Sequence, residues 1–89
     1  MTTLFVRHVV SNYDAWRKAY DSVGPMQKKA GVIAEAVYRG TDNPNDVTVT
    51  HEFASAEAAA AFAGSEDLKK AMQSAGVIGA PTIWFASKA

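Results

Sequence analysis

Hydrophobic positions along the chain fall into two patterns, short apolar runs and longer segments in which apolar residues recur every three or four positions. The runs are rich in β-branched and aromatic residues and predict strands over residues 4–10, 32–39, 47–53 and 81–86. The segment after the first strand and the segment after the third strand each carry one apolar stripe, which predicts two amphipathic helices. The stripes are Tyr13, Trp16, Tyr20 and Val23 in the first helix and Ala58, Phe62, Leu68, Met72 and Ala75 in the second.

The first predicted helix has recognisable boundaries. Ser11 is followed three residues later by Asp14, a spacing typical of a capped helix start. Gly24-Pro25 interrupts the helix, because proline has no N–H to donate and its ring clashes with the preceding turn. Gly31 suits the left-handed position that ends a helix.

The second predicted helix carries the same kinds of signal. Ser55 offers an oxygen that accepts a hydrogen bond at the helix start, and Ser65 repeats this after Gly64. Gly76 suits the end of the segment. We therefore expect the second helix to consist of two pieces.

The order of elements repeats as strand-helix-strand, strand-helix-strand. The residues AGVI at positions 30–33 recur at positions 75–78, each time at the end of a helix. This duplication predicts a single α+β domain over residues 1–89, the ferredoxin-like split βαβ fold. Its four-stranded antiparallel sheet would have both helices on one face.

The predicted strands are apolar on both faces. The first strand places Leu4, Val6 and Val10 on one side and Phe5 and Val9 on the other. Because helices cover only one face, the other would expose several hundred Å² of apolar surface, which favours association at roughly 25 cal/mol per Å². We predict a homodimer packed sheet against sheet.

The composition excludes several classes of function. Nine basic and nine acidic residues cancel and form no basic cluster, so nucleic-acid binding is not expected. The chain has no cysteine, which excludes thiol catalysis and zinc-thiolate sites, and no metal or nucleotide motif. It also lacks a membrane-spanning stretch or signal peptide, so we expect a cytoplasmic protein that does not bind membranes.

Three segments carry a resemblance to a known family. The segments HEFASAEAAAAF (residues 51–62), NYDAW (residues 12–16) and AGVIGAP (residues 75–81) resemble antibiotic-biosynthesis-monooxygenase-like proteins. Within that dimeric α+β-barrel superfamily, the chain is most similar to a small bacterial branch. Superfamily members include cofactor-free quinol oxygenases, isomerases, haem-degrading enzymes and proteins without known activity, so the fold alone does not fix the function.

The resemblance implies a cavity and argues against a cofactor. An aromatic residue at the end of the third strand often lines the barrel cavity in this superfamily, and Phe53 occupies that place. The haem-degrading members carry an iron-ligating histidine on the second helix, whereas the second helix here has none. We expect no cofactor and no metal. Val49, Tyr38 and Trp84 are further candidates for lining a ligand cavity, with core or dimer packing as the alternative.

The candidate catalytic residues are His51 and Arg7. A neutral histidine at the end of a cavity suits a general base acting on a phenol or quinol hydroxyl. His51 shares its side of the strand with Val49 and Phe53, the side that the resemblance assigns to the barrel interior. Arg7 would stabilise an anionic oxygen, or alternatively would pair with Glu35 or Glu52 at the dimer seam.

His8 is the alternative to His51. It shares its side of the first strand with Leu4, Val6 and Val10, which we expect to face the helices. If the face assignment is reversed, Arg7 faces the barrel cavity without His51. Tyr13, Trp16 and Tyr20 are expected to be core residues.

Two functions are compatible with these patterns. The first is a cofactor-independent monooxygenase or isomerase that acts on an aromatic or polyketide-like small molecule. The second is a non-catalytic dimeric module that binds a small ligand or a protein partner. A cavity of ~300 Å³ or more would favour the enzyme.

Overall fold

A computed structural model describes residues 1–89, in the element order β-α-α-β-β-α-α-β. The strands are β1 (Thr2–Val10), β2 (Ala34–Arg39), β3 (Asp46–Phe53) and β4 (Val77–Ala86). The helices are α1 (Tyr13–Ser22), α2 (Gly24–Ala30), α3 (Ala56–Ala63) and α4 (Glu66–Ser74). None of the four helices has the length and apolarity needed to span a membrane.

The four strands form one antiparallel sheet in the order β2-β3-β1-β4. This arrangement is the ferredoxin-like α+β fold that the duplicated pattern predicts, with each predicted helix divided into two. The sheet is open, since β2 and β4 form its two edges.

One face of the sheet is buried under the helices. In β1 and β3 every second residue is buried, and the register pairs Leu4 with His51 and Val6 with Val49, so these residues share a face. Trp16, Phe62 and other apolar residues of the helices complete the core. The buried residues of the two central strands are Leu4, Val6, His8 and Val10 of β1 and Val47, Val49, His51 and Phe53 of β3.

The expected face of β3 is therefore wrong. Val49, His51 and Phe53 lie beneath the helices and not on the helix-free face. The physical reason is register: a shift of one residue would move Thr48, Thr50 and Glu52 into the core. Burying the apolar side of β3 together with the apolar side of β1 avoids that cost.

The helix-free face of the sheet carries several exposed apolar side chains. Val9 pairs with Ile78 across β1 and β4, and both are exposed. Phe5 stacks on Trp84 with ring centroids 5.1 Å apart. Tyr38 is exposed on β2. These exposed apolar and aromatic side chains favour association of this face with another apolar surface.

The N-cap of the first helical segment is one residue later than expected. The side chain of Asn12, and not that of Ser11, accepts the hydrogen bond from the backbone N–H of Ala15, at 3.0 Å. The segment breaks at Gly24-Pro25 and ends at Gly31 (φ 96°), as the sequence predicts. Val32 donates to the carbonyl of Gln27 and so belongs to the helix end, which is why β2 starts at residue 34 and not at 32.

The second helical segment consists of two pieces, as predicted. Ser55 Oγ accepts from the backbone N–H of Ala58 and Ser65 Oγ from that of Leu68, each at 3.2 Å. β4 then begins at Val77, four residues earlier than predicted. The register between β1 and β4 shifts between Arg7 and Val9, which lets the strand continue past Pro81 although proline cannot donate to the ladder.

We expect the cap at Ser65 to contribute measurably to stability. Ser65→Ala leaves the backbone N–H of Leu68 without its acceptor and should lower the free energy of unfolding by ~1 kcal/mol, measured by urea denaturation. Ser74→Ala is the control, because Ser74 is exposed at the other end of α4. Equal losses in the two variants would contradict a specific capping role.

Candidate functional site

A narrow cavity of about 40 Å³ lies between the buried face of the sheet and the helices. Twelve of its fifteen lining residues are hydrophobic. The three exceptions are His8, Gln27 and His51, which are buried polar side chains. Polar groups in an apolar cavity can orient a ligand, so this cavity is the candidate functional site.

His51 is joined to a carboxylate through Tyr20. β2 and β3 pair so that Glu35 lies directly opposite His51, on the same face of the sheet. The two side chains are bridged by the hydroxyl of Tyr20 from α1. That hydroxyl donates to Glu35 Oε2 at 2.7 Å and lies 3.2 Å from His51 Nε2.

The proton on Tyr20 determines the tautomer of His51. A phenol has one proton to donate. Because Tyr20 gives that proton to Glu35, its oxygen can only accept from His51, and Nε2 therefore carries the imidazole proton. His51 Nδ1 is then a free lone pair, and this atom is buried without a hydrogen-bond partner.

Burial keeps His51 neutral. It lowers the pKa of His51 from 6.5 to about 4, against the opposing effect of the Glu35 charge. Burial and the hydrogen bond to Glu35 both raise the pKa of Tyr20, so its hydroxyl stays protonated at neutral pH. The chain from Glu35 to His51 thus holds one carboxylate, one phenol and one neutral imidazole.

Aromatic rings hold the imidazole in place. Trp16 stacks on Tyr20 at 4.9 Å between centroids, Tyr20 stacks on His51 at 6.2 Å, and Phe62 meets His51 edge-on at 5.3 Å. Such packing restricts the side-chain rotamers. The orientation of His51 is set before any ligand binds.

His8 is a second buried imidazole at the same cavity. Neither of its ring nitrogens has a hydrogen-bond partner, and its ring is tilted against Trp16 at 5.7 Å. Burial lowers its pKa, with Asp46 acting in the opposite direction. The expectation that His8 faces the helices is confirmed. Unlike His51, it has no hydrogen bond to a neighbouring side chain.

Arg7 lies on the opposite face of the sheet from the cavity. Its Nε and Nη2 donate to Asp46 Oδ1 and Oδ2 at 3.0 and 2.7 Å. These hydrogen bonds hold the pKa of the Asp46 carboxyl below its usual range. The expected pairing with Glu35 or Glu52 is therefore wrong, because Asp46 of the same chain supplies a bidentate partner close by. The structure does not bring Arg7 together with His51.

The other predicted cavity residues are divided between three places. Val49 lines the cavity. Phe53 is fully buried in the core, where its ring meets Phe62 at 5.5 Å, and does not line the cavity. Tyr38 and Trp84 are exposed on the helix-free face.

Tyr20, Glu35 and Gln27 are the polar residues of the site that the sequence analysis missed. Tyr20 fits the apolar stripe of its helix and so was expected in the core. Glu35 shares its side of β2 with Val37, and a carboxylate on the apolar side of a strand was the available signal. Gln27 lies in α2, where no sequence pattern separated it from a surface glutamine.

The arrangement can remove a proton from a bound hydroxyl and pass it to solvent. His51 Nδ1 accepts the proton while Nε2 releases one to Tyr20, whose own proton moves to Glu35. Glu35 is exposed, so the proton can leave to water.

Comparisons with known proteins agree with this fold. The sequence model described as antibiotic biosynthesis monooxygenase matches residues 11–74. A Bordetella bronchiseptica structure, provisionally assigned as an antibiotic biosynthesis monooxygenase, has a TM-score of 0.83 at 14% identity and covers 99% of this chain and 96% of its own. SnoaB, a cofactor-independent oxygenase from Streptomyces nogalater, has a TM-score of 0.79 at 10% identity, over 99% and 92%. No curated protein sequence matches this chain.

The lowered pKa of His51 predicts acid sensitivity. The unfolded chain binds a proton near pH 6.5 and the folded protein only near pH 4, so stability is full above pH 6.5 and falls between these values. The loss attributable to His51 should reach about 3 kcal/mol by pH 4. Urea denaturation between pH 7 and pH 4 should show a shallower loss in His51→Phe than in the wild type.

Tyr13→Phe is the control for this measurement. It removes a hydroxyl from α1, the helix that also carries Tyr20, but keeps both histidines. It should therefore retain the wild-type dependence of stability on pH. A pH dependence in His51→Phe equal to that of the wild type would show that His51 is not the group responsible.

Proposed function

The chain belongs to the antibiotic biosynthesis monooxygenase family, and we propose that it is a cofactor-independent enzyme acting on a phenolic aromatic or polyketide-like small molecule. The observation that carries this proposal is the hydrogen-bonded series Glu35–Tyr20–His51. His51 lines an apolar cavity, and its Nδ1 is buried without a hydrogen-bond partner. The class of reaction is supported by the fold shared with SnoaB, itself described as a cofactor-independent oxygenase.

The first step is removal of the phenolic proton by His51. The phenolate that results is electron-rich and can itself reduce O₂, which is the second substrate. In the balanced reaction a phenol and O₂ give a quinone and water. One oxygen atom forms the new carbonyl, and the other leaves as water with the hydroxyl proton and the displaced ring hydrogen. The same proton removal without O₂ would serve an isomerase, and oxygen uptake separates the two.

His8 would supply a second polar contact for the ligand. It lies four residues beyond Leu4, the partner of His51, so the two histidines are about 13 Å apart along the strands. Its unpaired nitrogens suit an oxygen substituent at the far end of a flat molecule. In this proposal His51 is the base and His8 orients the ligand. Arg7, which is paired with Asp46, has no part in the chemistry.

A non-catalytic dimeric ligand-binding module is the second candidate. The observation in its favour is the size of the cavity, about 40 Å³, since ligand sites usually occupy ~300 Å³ or more. Turnover is what distinguishes the two candidates.

We also propose that the protein forms a homodimer through the helix-free face of the sheet. That face presents Val9, Ile78 and Trp84 to solvent. Burying an apolar patch of several hundred Å² on each partner gives the driving force that a stable interface requires. In this arrangement the Arg7–Asp46 pair would lie at the interface as a paired, hydrogen-bonded charge.

The hydrogen-bonded series Glu35–Tyr20–His51 predicts which substitutions lower the rate of turnover. With a panel of phenols and naphthols in an oxygen electrode, His51→Phe should lower the rate of oxygen uptake by ~10²-fold or more, since it removes the general base. Tyr20→Phe and Glu35→Gln should also lower it, because each breaks the proton path. Tyr13→Phe is the control, since Tyr13 packs on Trp16 but does not line the cavity. Unchanged uptake in His51→Phe, or no uptake by the wild type, would contradict the enzymatic proposal.

The dimer predicts a difference between two isoleucines of equal exposure. Ile78 is 57% exposed on the helix-free face, and Ile33 is 56% exposed next to β2 on the other side of the sheet. Ile78→Glu should shift the mass measured by light scattering from dimer toward monomer, because it buries a charge at the interface. Ile33→Glu should leave the dimer intact. A monomeric wild type at micromolar concentration would refute this interface.

A further inference from the structure

The cavity beside His51 adjoins two larger spaces on the helical side of the molecule. One groove, of about 300 Å³, shares Ala19, Val23, Met26 and Ala71 with the cavity. The other, of about 320 Å³, shares Met26 and Phe62 with it. Met26 is the one residue that lines all three spaces. Its side chain therefore stands where the cavity could join either groove.

Met26 is a flexible side chain on the short helix α2. α2 has seven residues, begins at Gly24-Pro25 and has no side-chain hydrogen bond at its N-cap, Val23. Methionine is unbranched and has three rotatable bonds, so it changes conformation more readily than leucine or phenylalanine. The side chain is therefore suited to changing its conformation.

We propose that Met26 is the gate that sets the size of molecule admitted to His51. With Met26 in place, the cavity of about 40 Å³ accepts only a small group. When its side chain swings aside, the cavity joins a groove of about 300 Å³, which matches the volume of a typical ligand site. This inference rests on the proposed function, because it concerns access to the same cavity.

Met72 provides a matched control. It is also a half-buried methionine that lines the cavity, but it borders neither groove. Shortening Met72 should enlarge the cavity without opening it. Shortening Met26 should open it.

The gate can be tested by the access of a quencher to Trp16. Trp16 lines the cavity and is 2% exposed, whereas Trp84, the other tryptophan, is 40% exposed and is replaced by phenylalanine in every protein tested. In that background, Met26→Ala should raise the acrylamide quenching constant of Trp16 severalfold. Met26→Phe and Met72→Ala should leave it near the parent value. No rise in Met26→Ala, or an equal rise in Met72→Ala, would overturn the proposal.

Binding of two probes tests whether the gate selects by size. Met26→Ala should bind 1-naphthol about tenfold more tightly than the parent protein, with little change for phenol. Equal gains for both probes, or no gain for 1-naphthol, would overturn the proposal. Neither measurement requires turnover, so the gate can fail while oxygen uptake is present and can stand when oxygen uptake is absent.

Discussion

The hydroxyl of Tyr20 is the contact on which the character of the site depends. It joins an exposed carboxylate on β2 to a buried imidazole on β3, two side chains that the sheet register places opposite each other. Without this bridge, Nε2 of His51 would be buried unpaired at a cost of roughly 1–3 kcal/mol. With it, one nitrogen is satisfied, the tautomer is fixed, and the other nitrogen keeps a free lone pair. A single phenol thus orients a buried histidine, which the proposed mechanism uses as its proton acceptor.

The two faces of the sheet carry different kinds of residue. Strict alternation in β1 and β3 sends His8, His51 and the apolar core toward the helices, and sends Arg7 and Phe5 to the other side. The cavity is therefore complete within one chain, and association through the helix-free face would add no residue to it. Arg7 is a surface charge neutralised by Asp46. The proposed dimer would contribute to stability, while the chemistry would remain inside each subunit.

Most of the fold was predictable because local signals and global pattern agree. The duplication, the break at Gly24-Pro25 and the second cap at Ser65 all depend on neighbouring residues, and the structure has each of them. The face of β3 was assigned from the resemblance, which placed Val49 and Phe53 in a barrel interior. The strand's own pattern favours the observed face, because Thr48, Thr50 and Glu52 on its other side would be costly in a core. The site was predictable only in part. His51 and His8 were identified by residue type, whereas Tyr20 and Glu35 come within reach only when α1 packs over β2 and β3.

The internal duplication explains why the cavity holds two histidines and why they differ. His8 and His51 occupy late positions in the first strand of each half, and alternation points both toward the helices. Their surroundings differ although both histidines meet α1. Tyr20 of α1 lies 3.2 Å from His51 Nε2, whereas His8 meets the ring of Trp16, and neither of its ring nitrogens has a hydrogen-bond partner. A symmetric plan of strands thus leaves one imidazole joined to a carboxylate through Tyr20 and the other unpaired. In the proposed mechanism the first is the base and the second contacts the ligand.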